Sequence, residues 1–261
     1  MKIYRFEHRN EILFGVLREE NLYPVSGSIF LKYRVGKRAV PISRVTLLPP
    51  VEPSKIVGVG RNYPAHSREL GNPVPKEPLL FLKPPSAVIG PNGIISYPDI
   101  SERVDYEGEL AVIIKKKTQR LPEEADVEDF ILGYTCFNDI TARDLQAKDV
   151  QFTRAKSFDT FASIGPCIAT GLDPAGLRIK TFLNGKLRQS SSTRNMLFPV
   201  PFLVRYVSRI MTLYPGDIIT TGTPEGVGPM VPGDRVDVQI EGIGTLSNTV
   251  AASGPRGALS S

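Results

Sequence analysis

Val104-Asp-Tyr-Glu-Gly-Glu-Leu-Ala-Val-Ile-Ile114 runs from a charged start into unbroken apolar, largely β-branched residues. Such a run reads as a strand entering a core. Residues i and i+2 of a strand project from one face. Glu107 and Glu109 are therefore expected to point together, just where the segment turns apolar. A second apolar run, Phe130-Ile-Leu-Gly-Tyr-Thr-Cys-Phe-Asn-Asp139, brings another carboxylate to a strand end. Three converging carboxylates repel, and each is costly to bury unpaired. A hard divalent cation resolves that conflict, and an all-oxygen set suits magnesium or manganese better than zinc. The alternative is a polar strand edge carrying solvated acids.

The pattern extends outward from this run. Segments 56–60, 79–83, 86–97, 104–116, 131–138 and 160–169 are all enriched in β-branched or aromatic residues and are expected as strands. Asn184-Gly185 lies between 178–183 and 186–191, a strong signal for a type I′ hairpin. Helices are expected at 123–130, at 141–149 with Thr141 as cap, and at 201–212. In the last, Phe202, Leu203, Tyr206, Val207 and Ile210 fall on one face for core packing. The fold class is mainly β with few helices (α+β). Residues 1–52 read as a small N-terminal β subdomain ending in the linker Leu48-Pro-Pro-Val-Glu-Pro53, since consecutive prolines cannot extend a central strand. Residues 53–252 form the main domain, and the small, polar tail 253–261 is expected to be disordered.

At 261 residues, the chain is long enough for one large domain with a small appendage. Hydrophobic content of 41% and charged content of 23% are those of a soluble globular protein. No run approaches the roughly 18 apolar residues of a membrane helix, and no signal peptide precedes the charged start, so a cytoplasmic enzyme is expected. Cys136 and Cys167 sit in apolar contexts without C-x-x-C spacing and read as buried, inert thiols. The formal charge of +5 is not gathered into a basic stripe interleaved with aromatics, which argues against nucleic-acid binding. It does suit an anionic small-molecule substrate.

Four further segments carry chemistry. Gly58-Val-Gly-Arg-Asn-Tyr-Pro-Ala-His66 is followed by Ser67-Arg68-Glu69; it has neither a G-x-G-x-x-G pattern nor a Walker lysine. His66 and Glu69 at i, i+3 on a helical turn would be neighbours, a pairing that orients an imidazole as general base; the alternative is a surface pair on a mobile loop. In Asp139-Ile-Thr-Ala-Arg-Asp-Leu-Gln146, Gln146 can face back toward the acids. Lys156 precedes an apolar strand and would bring positive charge near three carboxylates, or else is a solvated loop lysine. In Thr220-Thr-Gly-Thr-Pro-Glu-Gly-Val-Gly228, backbone N–H groups together with Thr223 can bind a carboxylate.

Taken in order, GRNYPAHSREL (60–70), LFLKPPSAVIG (80–90), DYEGELAVII (105–114), NDITARDLQ (138–146), RAKSFDTF (154–161) and TGTPEGVGP (221–229) resemble the fumarylacetoacetate hydrolase family. That family comprises magnesium enzymes acting on 2-oxo and enol acids. The resemblance implies a mixed β-sheet roll, commonly assembled as a homodimer. It places Glu107, Glu109 and Asp139 on the metal ligands, and His66 with Glu69 on a catalytic dyad carried by a lid. It places Lys156 and Gln146 on residues that contact substrate oxygens, and Thr223 on the carboxylate-binding loop. Pro64 stands where alanine is more usual in the family, which would stiffen the lid.

The chemistry implied is stabilisation of an enolate by Mg2+ (or Mn2+), with Lys156 sharing the negative charge and His66 moving a proton. Such a site serves a 2-hydroxyhepta-2,4-diene-1,7-dioate isomerase or an acylpyruvate hydrolase. Alternatives are an oxaloacetate decarboxylase of the same family and a non-catalytic metal- or anion-binding protein. Arg61 and Tyr63 are candidate substrate-binding residues, and Arg143 and Arg154 are further candidates for reading the distal end of a substrate.

Overall fold

A large mixed sheet organises the molecule, and the apolar part of the 104–114 run is its central strand. The computed structural model describes residues 1–253, so the expectation for the remainder of the tail lies outside the described residues. Gly108–Ile114 pairs antiparallel with Ile131–Asp139 on one side and Ile218–Thr220 on the other. Outward from Ile131–Asp139 come Ala162–Ala169, Lys2–His8, Glu11–Arg18, Asn21–Gly27 and Tyr33–Val35. In the opposite direction come Ile56–Gly60, parallel to Ile218–Thr220, and then Leu79–Lys83. The N-terminal strands thus continue the main sheet through the pairing of Lys2 and Ile3 with Ala169 and Ile168. A five-stranded sheet packs nearby, in the order Ile94–Tyr97, Gly244–Ala252, Arg235–Ile240, Arg178–Leu183, Lys186–Ser192.

Strand alternation divides the core. Leu110, Val112 and Ile114 share one cluster with Ile179, Val238, Ile240 and the helix residues Leu203 and Val207. Ala111 and Ile113 join Ile3, Ile56, Phe137 and Ile218 on the other face. Glu109 belongs by parity to the Ala111 and Ile113 face, while Gly108 points at the five-stranded sheet. A Cβ on Gly108 would lie 2.2 Å from Thr181 Oγ1, so only glycine allows that close approach.

The expected single strand 104–116 is broken at Glu107. Val104–Tyr106 leaves the main sheet and pairs with Gly228–Met230 and Thr141–Ala142 in a small three-stranded sheet. Side chains satisfy the backbone at the break: Asn138 Oδ1 accepts from the Glu107 N–H (2.9 Å) and Gln189 Oε1 from the Gly108 N–H (3.0 Å). The expected strand 86–97 is likewise interrupted, into Val88–Ile89 and Ile94–Tyr97. The hairpin at Asn184-Gly185 forms as expected, with φ of +50° and +73° as a type I′ turn requires.

The helices need more correction. Segment 123–130 yields only a 3-10 turn at Val127–Phe130. The helix expected from 141 begins at Arg143, and Thr141 does not cap it; its hydroxyl donates to the Asp139 carbonyl (2.9 Å). Val200–Ile210 buries Val200, Leu203, Val204 and Val207, a stripe rotated from the expected one. Phe202 and Ile210 are exposed, and Phe198, Phe202 and Tyr206 stack along the outer side with centroids 5.5 and 5.9 Å apart. Both cysteines are free and buried, and burial pushes the Cys167 thiol up to about 11.

Phe81 lies flat against Gly58, where an added Cβ would fall 2.2–2.8 Å from its ring carbons. Gly58→Ala is expected to destabilise the protein by about 1–3 kcal/mol through overpacking, read as a lower urea midpoint at unchanged slope. An unchanged midpoint would mean that the ring is free to move aside.

Candidate active site

The main sheet's register brings the three acids together. Glu109 stands opposite Phe137, and one step further the Asp139 N–H donates to the Glu107 carbonyl (2.8 Å). Each of the three offers a carboxylate oxygen within 4.8 Å of the others, and all three residues are buried. They form the floor of a cavity of about 590 Å³, whose walls include Arg61, His66, Phe81, Arg143, Gln146, Phe152, Lys156 and Thr223.

Cations are distributed unevenly over this floor. Lys156 Nζ donates to Glu107 Oε2 (2.7 Å) and Asp139 Oδ2 (2.6 Å). Arg143 fans out, with Nη2 to Glu107 Oε1 (2.5 Å), Nε to Asp105 Oδ2 (2.9 Å) and Nη1 to Gln146 Oε1 (2.7 Å). Glu107 is held well below the usual carboxylate range: burial works the other way, but Lys156, Arg143 and His66 outweigh it. Lys156 is likewise held above the usual lysine range, because Asp139 and Glu107 overcome the cost of burying it. Glu109 has no ion-pair partner among the described residues, and its carboxylate accepts from the Gly222 N–H (2.8 Å). Burial, with Asp139 and Glu107 beside it, raises Glu109 well above the carboxylate range. A divalent cation held among the three acids could supply the partner that Glu109 lacks, and the all-oxygen donor set fits a hard ion.

Sequence reasoning missed Lys83. It is 1% exposed and donates to Asp139 Oδ1 (2.5 Å) and to the Ile140 carbonyl (3.3 Å). Burial lowers its pKa, against the pull of Asp139. The available signal was a lone charge closing Leu79-Leu-Phe-Leu-Lys83, two places after Phe81 and so on the same strand face. Nothing local to Asp105, Asn138 or Gln189 marked their roles.

His66 and Glu69 meet as the i, i+3 spacing requires, Nδ1 to Oε2 at 3.3 Å, on the short helix Pro64–Glu69. Glu69 also accepts from the Gly226 N–H (2.9 Å to Oε1), which ties that helix to the 221–228 loop. The loop therefore does bind carboxylates through its backbone, but they are the protein's own Glu109 and Glu69. The Thr223 hydroxyl faces inward, donating to the Gly108 carbonyl (2.9 Å) and accepting from Gln189 Nε2 (2.8 Å). Two candidates lie off the cavity wall. Tyr63 is 1% exposed behind it, its hydroxyl without a hydrogen-bond partner among the described residues. Arg154 pairs with Asp149 on the surface (2.6 Å).

Three buried carboxylates floor this cavity, and a histidine backed by a glutamate and a buried lysine stand on its walls, a set of groups that could hold a divalent metal beside an acid–base residue. The fumarylacetoacetate hydrolase C-terminal model matches residues 55–251, and the Rv2993c-like N-terminal model matches residues 1–50. The chain belongs to the fumarylacetoacetate hydrolase family, whose members are enzymes that generally use a divalent metal. It is 42% identical to the oxaloacetate tautomerase YisK of Bacillus subtilis, over 83% of this chain and 76% of that one. The 5-carboxymethyl-2-hydroxymuconate delta-isomerase from Mycobacterium smegmatis superposes with a TM-score of 0.90 at 41% identity, covering 97% of this chain and 100% of that one. The 2-hydroxyhepta-2,4-diene-1,7-dioate isomerase from Mycobacterium marinum gives 0.90 at 40% identity, covering 98% and 100%. No helix of the described residues is long and apolar enough to cross a membrane.

Proposed function

We propose that this enzyme moves a proton on a 2-oxo acid through its enolate, as an isomerase or tautomerase, with cleavage of acylpyruvates open to the same site. The observation that carries this reading is one cavity lined by both the acid triad and His66, whose Nδ1 is engaged by Glu69 at 3.3 Å. The similar proteins named above are a tautomerase and two isomerases, and keto–enol or dienol proton transfer is common to their names.

Glu107, Glu109 and Asp139 would hold a divalent cation, proposed as Mg2+ or Mn2+, which when bound supplies Lewis-acid polarisation of the 2-oxo group. Glu69, accepting from Nδ1, fixes the imidazole tautomer in which Nε2 is the base. Nε2 takes the proton from C3 of the substrate, and the C–H electron pair becomes the enolate's carbon–carbon double bond. Lys156, already among the acids, shares the negative charge that builds on the 2-oxo oxygen. Protonating the 2-oxo oxygen then gives the enol, and the reverse sequence, loss of the enol O–H and protonation at C3, gives the ketone; protonation at the far end of a dienolate completes an isomerisation. Where the substrate is an acylpyruvate, the same base activates water for attack on the acyl carbonyl, and pyruvate leaves as the enolate. A homodimer in the cytoplasm is proposed with it, the homodimer carried over from the family resemblance.

The test follows the enol absorbance of oxaloacetate, acetylpyruvate and fumarylpyruvate with Mg2+ or with EDTA. Acceleration of ketonisation or loss of an acylpyruvate, abolished by EDTA, is expected. No metal-dependent change with any of the three would overturn tautomerisation of these acids and cleavage of acylpyruvates, leaving dienol isomerisation as the reading.

A further inference from the structure

The cavity changes character along a single strand. In Leu79–Lys83, residues 79, 81 and 83 share a face. Lys83 is at the floor against Asp139. Phe81 stands about 7 Å further along and Leu79 about 7 Å beyond that, at a strand rise of about 3.3 Å per residue. The strand is thus a ruler from charge to apolar surface. Phe81 touches both regimes: Lys156 Nζ lies 5.1 Å from its ring centroid, and Phe152 packs edge-on at 5.9 Å. The wall is a built feature, because bare Gly58 is what admits the Phe81 ring, and a Cβ on Gly60 would sit 3.2 Å from Leu79. Beyond it, Leu79 is 37% and Val150 99% exposed, both lining the cavity mouth.

We infer that Phe81 and Phe152, with Leu79 and Val150 at the mouth, receive the far end of the substrate, and that this end is an alkyl or aryl group. The inference rests on the 2-oxo acid reading, and it favours acylpyruvates with apolar acyl groups over diacids. A head group held at the acid floor would extend its tail past Lys156 onto the Phe81 face. The cavity of about 590 Å³ is far larger than a four-carbon diacid fills. The competing arrangement places a second carboxylate on Arg61, which lines the same cavity.

Three unreactive ligands with one head and different tails separate these cases: oxamate with no tail, N-oxalylglycine with a carboxylate tail, and oxanilate with a phenyl tail. Each is titrated calorimetrically into the Mn2+-loaded protein. Oxanilate is expected to bind about tenfold or more tighter than oxamate, the scale of a desolvated aromatic contact, with N-oxalylglycine no tighter than oxamate. Phe152→Ala is expected to remove the advantage of oxanilate and to leave oxamate within about twofold. Tighter binding of N-oxalylglycine than of oxanilate, or an equal loss for all three ligands in the variant, would overturn the inference while leaving the 2-oxo acid reading in place. Binding of none of the three would overturn both.

Discussion

Glu109→Gln is expected to abolish divalent-cation binding while leaving the metal-free protein folded and at least as stable. Burial beside Asp139 and Glu107 already favours the neutral acid at this position, so a neutral amide of the same shape costs little. The substituted amide still presents an oxygen to the Gly222 N–H, from which Glu109 accepts at 2.8 Å in the parent. What the amide cannot supply is the third anionic ligand. Loss of an outer partner of a metal site typically costs about 10–100-fold in affinity, and loss of a direct ligand is expected to exceed about 100-fold. The readout is thermal melting with and without Mg2+ or Mn2+. A ligand that binds only the folded state raises the melting temperature by mass action. The parent should show that rise, and the variant should not. An equal rise in both would remove Glu109 from the metal site.

His66→Ala tests the other half of the chemistry. The imidazole lines the cavity, and its Nδ1 is engaged by Glu69 at 3.3 Å, so its removal takes away the proposed base while Lys156 and Arg143 still pair with Glu107. Turnover is expected to fall by about 10²–10⁴-fold, the usual worth of a positioned general base. The metal-dependent rise in melting temperature should persist. A loss of less than about threefold would exclude His66 from proton transfer. A large loss of turnover accompanied by loss of the metal response would assign His66 to holding the site together.

Much of this site was legible because it is local. Glu107, Glu109 and Asp139 sit at the ends of apolar runs, and alternation fixes the face of Glu109 relative to its apolar neighbours, while Glu107, at the strand break, is placed by the tertiary structure. His66 and Glu69 are three residues apart on one turn, so their meeting needs only that the turn be helical. Asn184-Gly185 carries its own conformation, since both positions require positive φ. The helix stripe was less legible: Phe202, Tyr206 and Ile210 satisfy the helical period as well as Val200 and Val204 do, and which side is buried depends on where the sheet lies.

The sequence by itself determined the β-dominated class, the acid triad, the histidine–glutamate pair and Lys156 as a candidate, because each follows from spacing within a segment or from the order of six blocks. The tertiary structure alone decided how the charges are matched. Lys83 reaches Asp139 across 56 residues and Arg143 reaches Glu107 across 36, while the Gly222 N–H reaches Glu109 across 113. Those pairings are set by the register and neighbour order of the sheet, which no short window of sequence contains. The break at Glu107 has the same origin. Its N–H is satisfied by Asn138 from the neighbouring strand and the Gly108 N–H by Gln189, and these partners let the chain leave one sheet and enter another without an unpaired buried group.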